Sequence, residues 1–406
     1  MKIAKRMQAI EPSGTIAMAE KARELQRAGR KILNLDIGEP DFDTPEHVKH
    51  AAIDAIKGGF THYTSSRGTL ELRQAIASDL ATRGIKTDPE KELIVTPGGK
   101  HAFYCACMAT LDPEDEVLIL APTWPTHFQC PKVAGAHTVE IPCGPSYRLD
   151  EEALKKRITR KSKMILVGSP NNPTGGVMSV DDIKVIVDLA VDNDLLIMSD
   201  EIYDRIIFDN IKIRSPASFD EARERCIVLN GFSKAYAMTG WRMGYAFADE
   251  EIIEAMVRIQ QSTTTCPASF VQKAGIAALR GPQDSIKIMV QEYDRRRRFI
   301  VEQLNKTKGL SCNMPKGAFY IFPSIKSLEI PSLEFCSGLL DEGVSTTPGS
   351  VFGESGEGYV RMSYATSLET IGEATKKIKV FVNKCSRKRK VHEPCSTKKQ
   401  SSSLKT

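Results

Sequence analysis

The chain has 406 residues, 41% hydrophobic and 26% charged, a size and balance that exclude a disulfide-stapled peptide scaffold and a wholly disordered chain. No apolar run reaches the roughly 20 residues that cross a bilayer, and the opening MKIAKRMQAIEPSG has no apolar core of a secretory signal, so a cytoplasmic protein is expected. The net charge of +5 collects at the end: the stretch after Asn383 holds eight Lys or Arg against one acid, leaving 48 basic and 50 acidic residues before it. Such a body argues against a nucleic-acid-binding fold.

In chain order, residues 1–45 form an N-terminal segment expected to contribute to a small domain and to the active site. Residues 46–285 are assigned to a large domain. From about 90 to 250, short apolar strands alternate with helical stretches: ELIVT (92–96) before the helix-like HAFYCACMATL, then EVLIL (116–120), KMILVG (163–168), DLLIMSD (194–200), CIVLN (226–230) and GYAFA (244–248). That alternation predicts an α/β fold, a mainly parallel sheet flanked by helices.

Residues 250–307 carry the pattern of long helices, and the charged run Arg295–Arg298 is expected to be a solvated helix face. A smaller α+β domain, 286–383, contains the strand-like GAFYIF and YVRMSYA and closes with a helix ending near Asn383. Residues 384–406 are expected to be a disordered basic tail. Its SRKRK has the composition of a localisation or nucleic-acid signal, but a solvated appendage is the simpler reading. The ten cysteines include no CxxC pair and no Cys/His cluster of zinc spacing, so reduced, buried thiols and no metal are expected.

In sheets of this kind ligands gather at the carboxyl ends of the strands, and there the polar signals stand. PGGK follows the first strand, NNPTGG follows KMILVG, Asp200 ends DLLIMSD, and Ser233-Lys234 follows CIVLN. A lone Ser-Lys carries no information. Here the lysine comes straight after a buried-looking strand, in a loop rich in Gly and aromatics, with Arg242 eight residues on. A lysine for a Schiff base, an acid for a ring nitrogen and an anion pocket are what pyridoxal phosphate requires. The acid keeps the ring protonated so that it can absorb a carbanion, and the displaced lysine can shuttle the proton.

SPNNPTGG, SDEIYDRIIF and NGFSKAYAMTGWRMGY resemble the signature segments of class I aminotransferases of pyridoxal-phosphate fold type I, in particular the prokaryotic aspartate aminotransferase branch. The resemblance runs from IEPSGTIAM to YVRMSYA and leaves only the tail outside. It implies that the large domain binds the cofactor, that Lys234 carries it as a Schiff base, and that catalysis alternates between pyridoxal and pyridoxamine phosphate in ping-pong fashion. Asp200 would pair with the ring nitrogen, Tyr203 and Asn172 would bond the phenolic oxygen, and Trp124 would stack on the ring. Ser233, Arg242 and the backbone of Gly99 and Lys100 would hold the phosphate, the last two at a helix start. Tyr63 would reach the phosphate of the neighbouring subunit in a homodimer with shared sites.

For the substrate, Arg361 would grip the α-carboxylate as a bidentate fork, beside Gly38, with Trp124 and Asn172 also facing it. In the branch resembled, a distal carboxylate meets a Lys after GG together with a Ser and a Thr near the N-terminus; this chain has Lys100, Ser13 and Thr15. Ser13 and Thr15 also suit a helix cap before IAMAEKARELQ. The implied reaction passes the amino group of aspartate to 2-oxoglutarate. Aspartate or glutamate with prephenate, or a neutral or aromatic amino acid, stays open as an alternative. Two departures stand out: His101 has no assigned role beyond packing, and Gly231 occupies a position where some relatives have a phosphate-binding Ser. Lyases sharing the framework are disfavoured by Ser13, Thr15 and Lys100. A non-catalytic cofactor-binding regulator is disfavoured because no helix-turn-helix fits before IEPSG.

Overall fold

The six apolar runs become six of the seven strands of one sheet in the computed structural model, which describes residues 3–10, 14–144 and 146–392. Across the sheet the strands are Leu93–Thr96, Gly244–Phe247, Cys226–Gly231, Leu196–Asp200, Ser162–Gly168, Glu116–Ala121 and His137–Pro142. All neighbours are parallel except Gly244–Phe247, which is antiparallel to both its partners. Successive side chains on a strand point to opposite faces. Leu118, Leu120, Ile165 and Val167 accordingly enter one core, and Val117, Ile119, Met164 and Leu166 enter the other. With both faces covered the strands are continuous apolar runs, as a buried parallel sheet requires.

The seventh strand, His137–Pro142, escaped the sequence reading. It lies at the sheet edge, only Ile141 is fully buried, and it ends in Pro142. An edge strand of this kind needs no apolar run to hold it.

A separate apolar core takes in Met18, Ala22, Leu33 and Leu35 from the N-terminal segment, Tyr293 and Ile300 from the helix Asp284–Asn305, and Met362 and Ile378 further on. Its strands are short: Tyr320–Ile321, Val360–Ser363 and Thr347–Pro348 pair antiparallel, while Leu33–Asn34 runs parallel to Val344–Ser345. The helices Glu250–Thr263, Ser269–Arg280 and Asp284–Asn305 fill the stretch read as long helices.

Two expectations are corrected. Arg295–Arg298 is not a solvated face: four consecutive helical residues point all the way round the axis. Arg295 and Arg298 face solvent, but Arg297 is wholly buried, paired with Asp209 and Asp294, and donates to the Pro315 carbonyl. Arg296 is buried against Asp41 and Glu292. The closing helix also does not stop near Asn383 but spans Leu368–His392, so the first part of the expected disordered tail is helical. Residues 393–406, with the rest of that tail, lie outside the described residues.

One segment belongs to both halves. Residues 36–44 reach the loop after Cys226–Gly231 through Thr239 Oγ1 to Glu39 (2.9 Å) and Thr44 Oγ1 to the Ala237 carbonyl (2.7 Å). The same segment reaches the long helix through Asp41, which accepts from Arg296 and from Tyr293 OH.

Candidate active site

The carboxyl ends of the central strands and the 36–44 segment enclose a cavity of about 620 Å³. Lys234, Asp200, Tyr203, Asn172, Trp124, Ser233, Arg242, Gly99, Lys100, Gly38 and Arg361 all line it. Asp200 ends a sheet strand, Tyr203, Asn172, Trp124, Ser233 and Lys234 each follow one, Gly99 opens the helix after one, and Arg242 stands just before the antiparallel Gly244–Phe247, so all eight gather where strand ends converge.

Lys234 leaves the sheet just beyond Cys226–Gly231, and its Nζ donates to the Gly38 carbonyl. Burial, then the nearby Arg361 and Arg242 guanidinium groups, push its pKa down to about 8, against the pull of Glu39 and Asp200. A neutral amine is thus available near neutral pH, as carbonyl chemistry needs. Asp200 ends its strand with Oδ2 3.1 Å from His127 Nε2, and Oδ1 accepts from the Ile202 amide. Tyr203 is buried with its hydroxyl 2.9 Å from Tyr320 OH, and burial raises its pKa well above the usual value, keeping the phenol protonated.

Asn172 is presented by a turn that its neighbour builds. Asn171 is fully buried, donates to the Pro122 carbonyl and accepts from both the amide and the hydroxyl of Thr174. Asn172 Oδ1 then accepts from Arg361 Nη1 at 3.1 Å. Arg361 Nη2 donates to the Asp36 carbonyl (2.6 Å) and to Thr347 Oγ1 (3.2 Å), while Nε is buried with no partner among the described residues. A buried guanidinium donor without an acceptor is costly, and an incoming carboxylate would relieve it.

At the other end, the helix Gly99–Thr110 opens towards Arg242. Gly98, its N-cap, has φ of 89°, and a Cβ there would fall 2.5 Å from Arg242 Nη2. Only glycine leaves room for the free amides and the guanidinium together. Ser233 stands at the same cavity, and Arg242 Nη1 donates to the Thr239 carbonyl. Lys100 Nζ lies 5.1 Å from the centre of the Trp124 ring. Gly231 is explained as well: it faces Gly244 across the strand pair, and a Cβ would come within 2.9 Å of the Gly244 Cα.

Tyr63 does not line the cavity; it is 87% exposed. Ser13 and the side chain of Thr15 lie outside the described residues. His101 packs on its helix, within 3.4 Å of Cys105 Sγ and the Thr263 hydroxyl, and burial lowers its pKa. Eight cysteines from Cys105 to Cys336 carry free thiols, and no cluster among the described residues could hold a metal ion.

Sequence reasoning passed over His127, Tyr320, Asp36, Glu39 and Arg23, all of which line the cavity. His127 stood three residues after Trp124 in PTWPTHF, and Tyr320 in GAFYIF, but neither pattern names a partner.

A buried amine of lowered pKa, a hydrogen-bonded carboxylate, a phenol and a helix start beside an arginine fit a phosphorylated aromatic aldehyde. Known proteins point the same way. The family described as aminotransferase class I and II matches residues 30–378. The aspartate aminotransferase of Pyrococcus abyssi is 45% identical over 354 residues, 86% of this chain and 91% of that protein. The aromatic-amino-acid aminotransferase 2 of Thermococcus litoralis is 41% identical over 92% of this chain and 96% of its own length. The structure of aspartate aminotransferase from Thermus thermophilus with maleate superposes with a TM-score of 0.90 at 37% identity, covering 94% of this chain and all of that one (100%).

Proposed function

Because the chain belongs to the class I and II aminotransferases, we propose that it passes the amino group of aspartate to 2-oxoglutarate, with Lys234 as the cofactor lysine and proton shuttle. The family's cofactor is pyridoxal 5'-phosphate. The observation that carries the reading is one cavity holding both Lys234, its amine pKa lowered to about 8, and Arg361 with a buried Nε that lacks an acceptor.

When bound, the cofactor supplies an electron sink for the carbanion left as the substrate loses its Cα proton. The chain's own groups do the rest. Lys234 takes that proton and returns it, a task its lowered pKa suits. Asp200, oriented by His127, would pair with the ring nitrogen, and Tyr203 and Asn172 would bond the phenolic oxygen. Trp124 would cover the ring face, and Ser233, Arg242 and the Gly99 and Lys100 amides would hold the phosphate. Arg361 would bind the α-carboxylate beside Gly38, where the backbone can approach closely. Donor and acceptor share this one cavity, so the donor departs as an oxo acid before the acceptor enters.

We assign the distal carboxylate to Lys100 with Ser13 and Thr15, and a homodimer in which Tyr63 reaches the neighbouring phosphate. The 87% exposure of Tyr63 supports the latter. A cytoplasmic location accords with free cysteines and with the lack, among the described residues, of a helix able to cross a membrane. An aromatic amino donor is the second reading, favoured by the Thermococcus litoralis relative.

The test is turnover and absorbance of purified protein with pyridoxal phosphate, aspartate and 2-oxoglutarate, beside Lys234→Ala. Oxaloacetate and glutamate should form together, and the variant should lose both turnover and the Schiff-base band. Turnover that survives the substitution would overturn the assignment of Lys234.

A further inference from the structure

We infer that Arg23 is a specificity-determining residue that meets the distal carboxylate of a dicarboxylic substrate; this rests on the aminotransferase reading. Arg23 and Ala19 line the cavity from the helix Gly14–Arg27. Four residues apart, they share one helix face. The small Ala19 leaves that face open, and Arg23 projects beside it.

Five lysines and arginines line the cavity, and four of them are engaged. Lys234 donates to the Gly38 carbonyl, Arg242 to the Thr239 carbonyl, and Arg361 to Asn172, Asp36 and Thr347, while Lys100 sits against the Trp124 ring. Arg23 differs from all four: it takes part in no ion pair, hydrogen bond or ring contact among the described residues. Three carboxylates line the same cavity, but Asp200 is held by His127, Glu39 is held by Thr239 Oγ1 and Asp36 is buried, and none of them pairs with Arg23. A guanidinium left uncommitted at a substrate cavity is a ready fork for a carboxylate. Lys100, assigned to the same carboxylate, offers a point charge set against the Trp124 ring, and Arg23 adds the planar fork that a point charge lacks.

The test uses the holoenzyme with Arg23→Gln and Arg23→Lys. Glutamine keeps helix propensity at an exposed position, so the fold is retained, which a thermal melt checks. The first readout is equilibrium binding of maleate, a dicarboxylate with no amino group to transfer, by calorimetry. Arg23→Gln should weaken it by roughly 10-fold, as expected for a lost charge-assisted hydrogen bond, and Arg23→Lys should recover part of the loss. The second readout is kcat/KM for aspartate against phenylalanine. The glutamine variant should lose about tenfold more on aspartate, chiefly through KM.

Equal losses on both amino acids, or maleate binding unchanged, would overturn the proposal. Wild-type protein that transaminates nothing would instead sink the aminotransferase reading, while the maleate titration would still decide whether Arg23 binds a dicarboxylate.

Discussion

His127 Nε2 lies 3.1 Å from Asp200 Oδ2, and its Nδ1 lies 2.8 Å from Thr123 Oγ1. The imidazole is buried, wedged against Phe103 and Trp124, so it cannot turn away. Asp200 is thereby fixed in direction at the end of its strand. Replacing His127 by Asn removes one hydrogen bond to a charged group, worth about 1.5–3 kcal/mol. The expected outcome is a fall in kcat of roughly 10- to 100-fold, with the protein still folded and the fall absent from the maleate affinity. Steady-state kinetics beside maleate titration checks it.

The pH dependence follows from Lys234. Burial first, and then the Arg361 and Arg242 charges, bring its pKa to about 8. Cofactor capture by the free protein needs the neutral amine, so its rate should rise with pH with a midpoint near that value. Arg361→Gln removes a cation that depresses the amine, and the midpoint should move upward. Between about 8 and the ordinary lysine value of 10.5, the unfolded chain holds a proton that the folded chain has lost. Stability contributed by this group therefore rises with pH through that window. Stopped-flow absorbance from pH 7 to 9.5 (roughly the range over which such an amine titrates) reads the midpoint directly.

Gly98→Ala should cripple phosphate binding while leaving the sheet intact. The added methyl meets Arg242 Nη2 at 2.5 Å, on a backbone with φ of 89°. Either the helix start or the guanidinium must shift. A loss of cofactor affinity of roughly 10- to 100-fold is expected, measured by fluorescence titration of the free protein.

Arg297 is the structural counterpart. Wholly buried, it joins Asp209, Asp294 and the Pro315 carbonyl over the Phe208 ring. Arg297→Ala should cost about 3–5 kcal/mol, seen as an earlier midpoint in urea unfolding, whereas Arg298→Ala, on an exposed pair, should change it by about 1 kcal/mol or less.

Arg297 also illustrates where the sequence stopped being legible. Six strands were readable because a sheet buried on both faces must be apolar along its length, as Ile165, Leu166 and Val167 are. His137–Pro142 was not, because an edge strand is half solvated. Lys234, Asp200 and Asn172 were found through local segments whose order is informative by itself. His127 and Tyr320 were not, since what distinguishes them is a partner 73 and 117 residues away in the chain. Nothing in four successive arginines announces which one turns inward; that depends on Asp209, 88 residues earlier.

The 36–44 segment makes any occupant of the cavity a thermodynamic bolt. It is tied to Ala237 and Thr239 on one side and to Arg296 and Tyr293 on the other, so opening either core tears at the same pocket walls. A ligand that binds only the intact pocket adds its mass-action stabilisation to both cores at once. Calorimetry of the empty protein should therefore resolve a broad or split melting endotherm, and saturation with cofactor and maleate should fuse it into a single, later and sharper one.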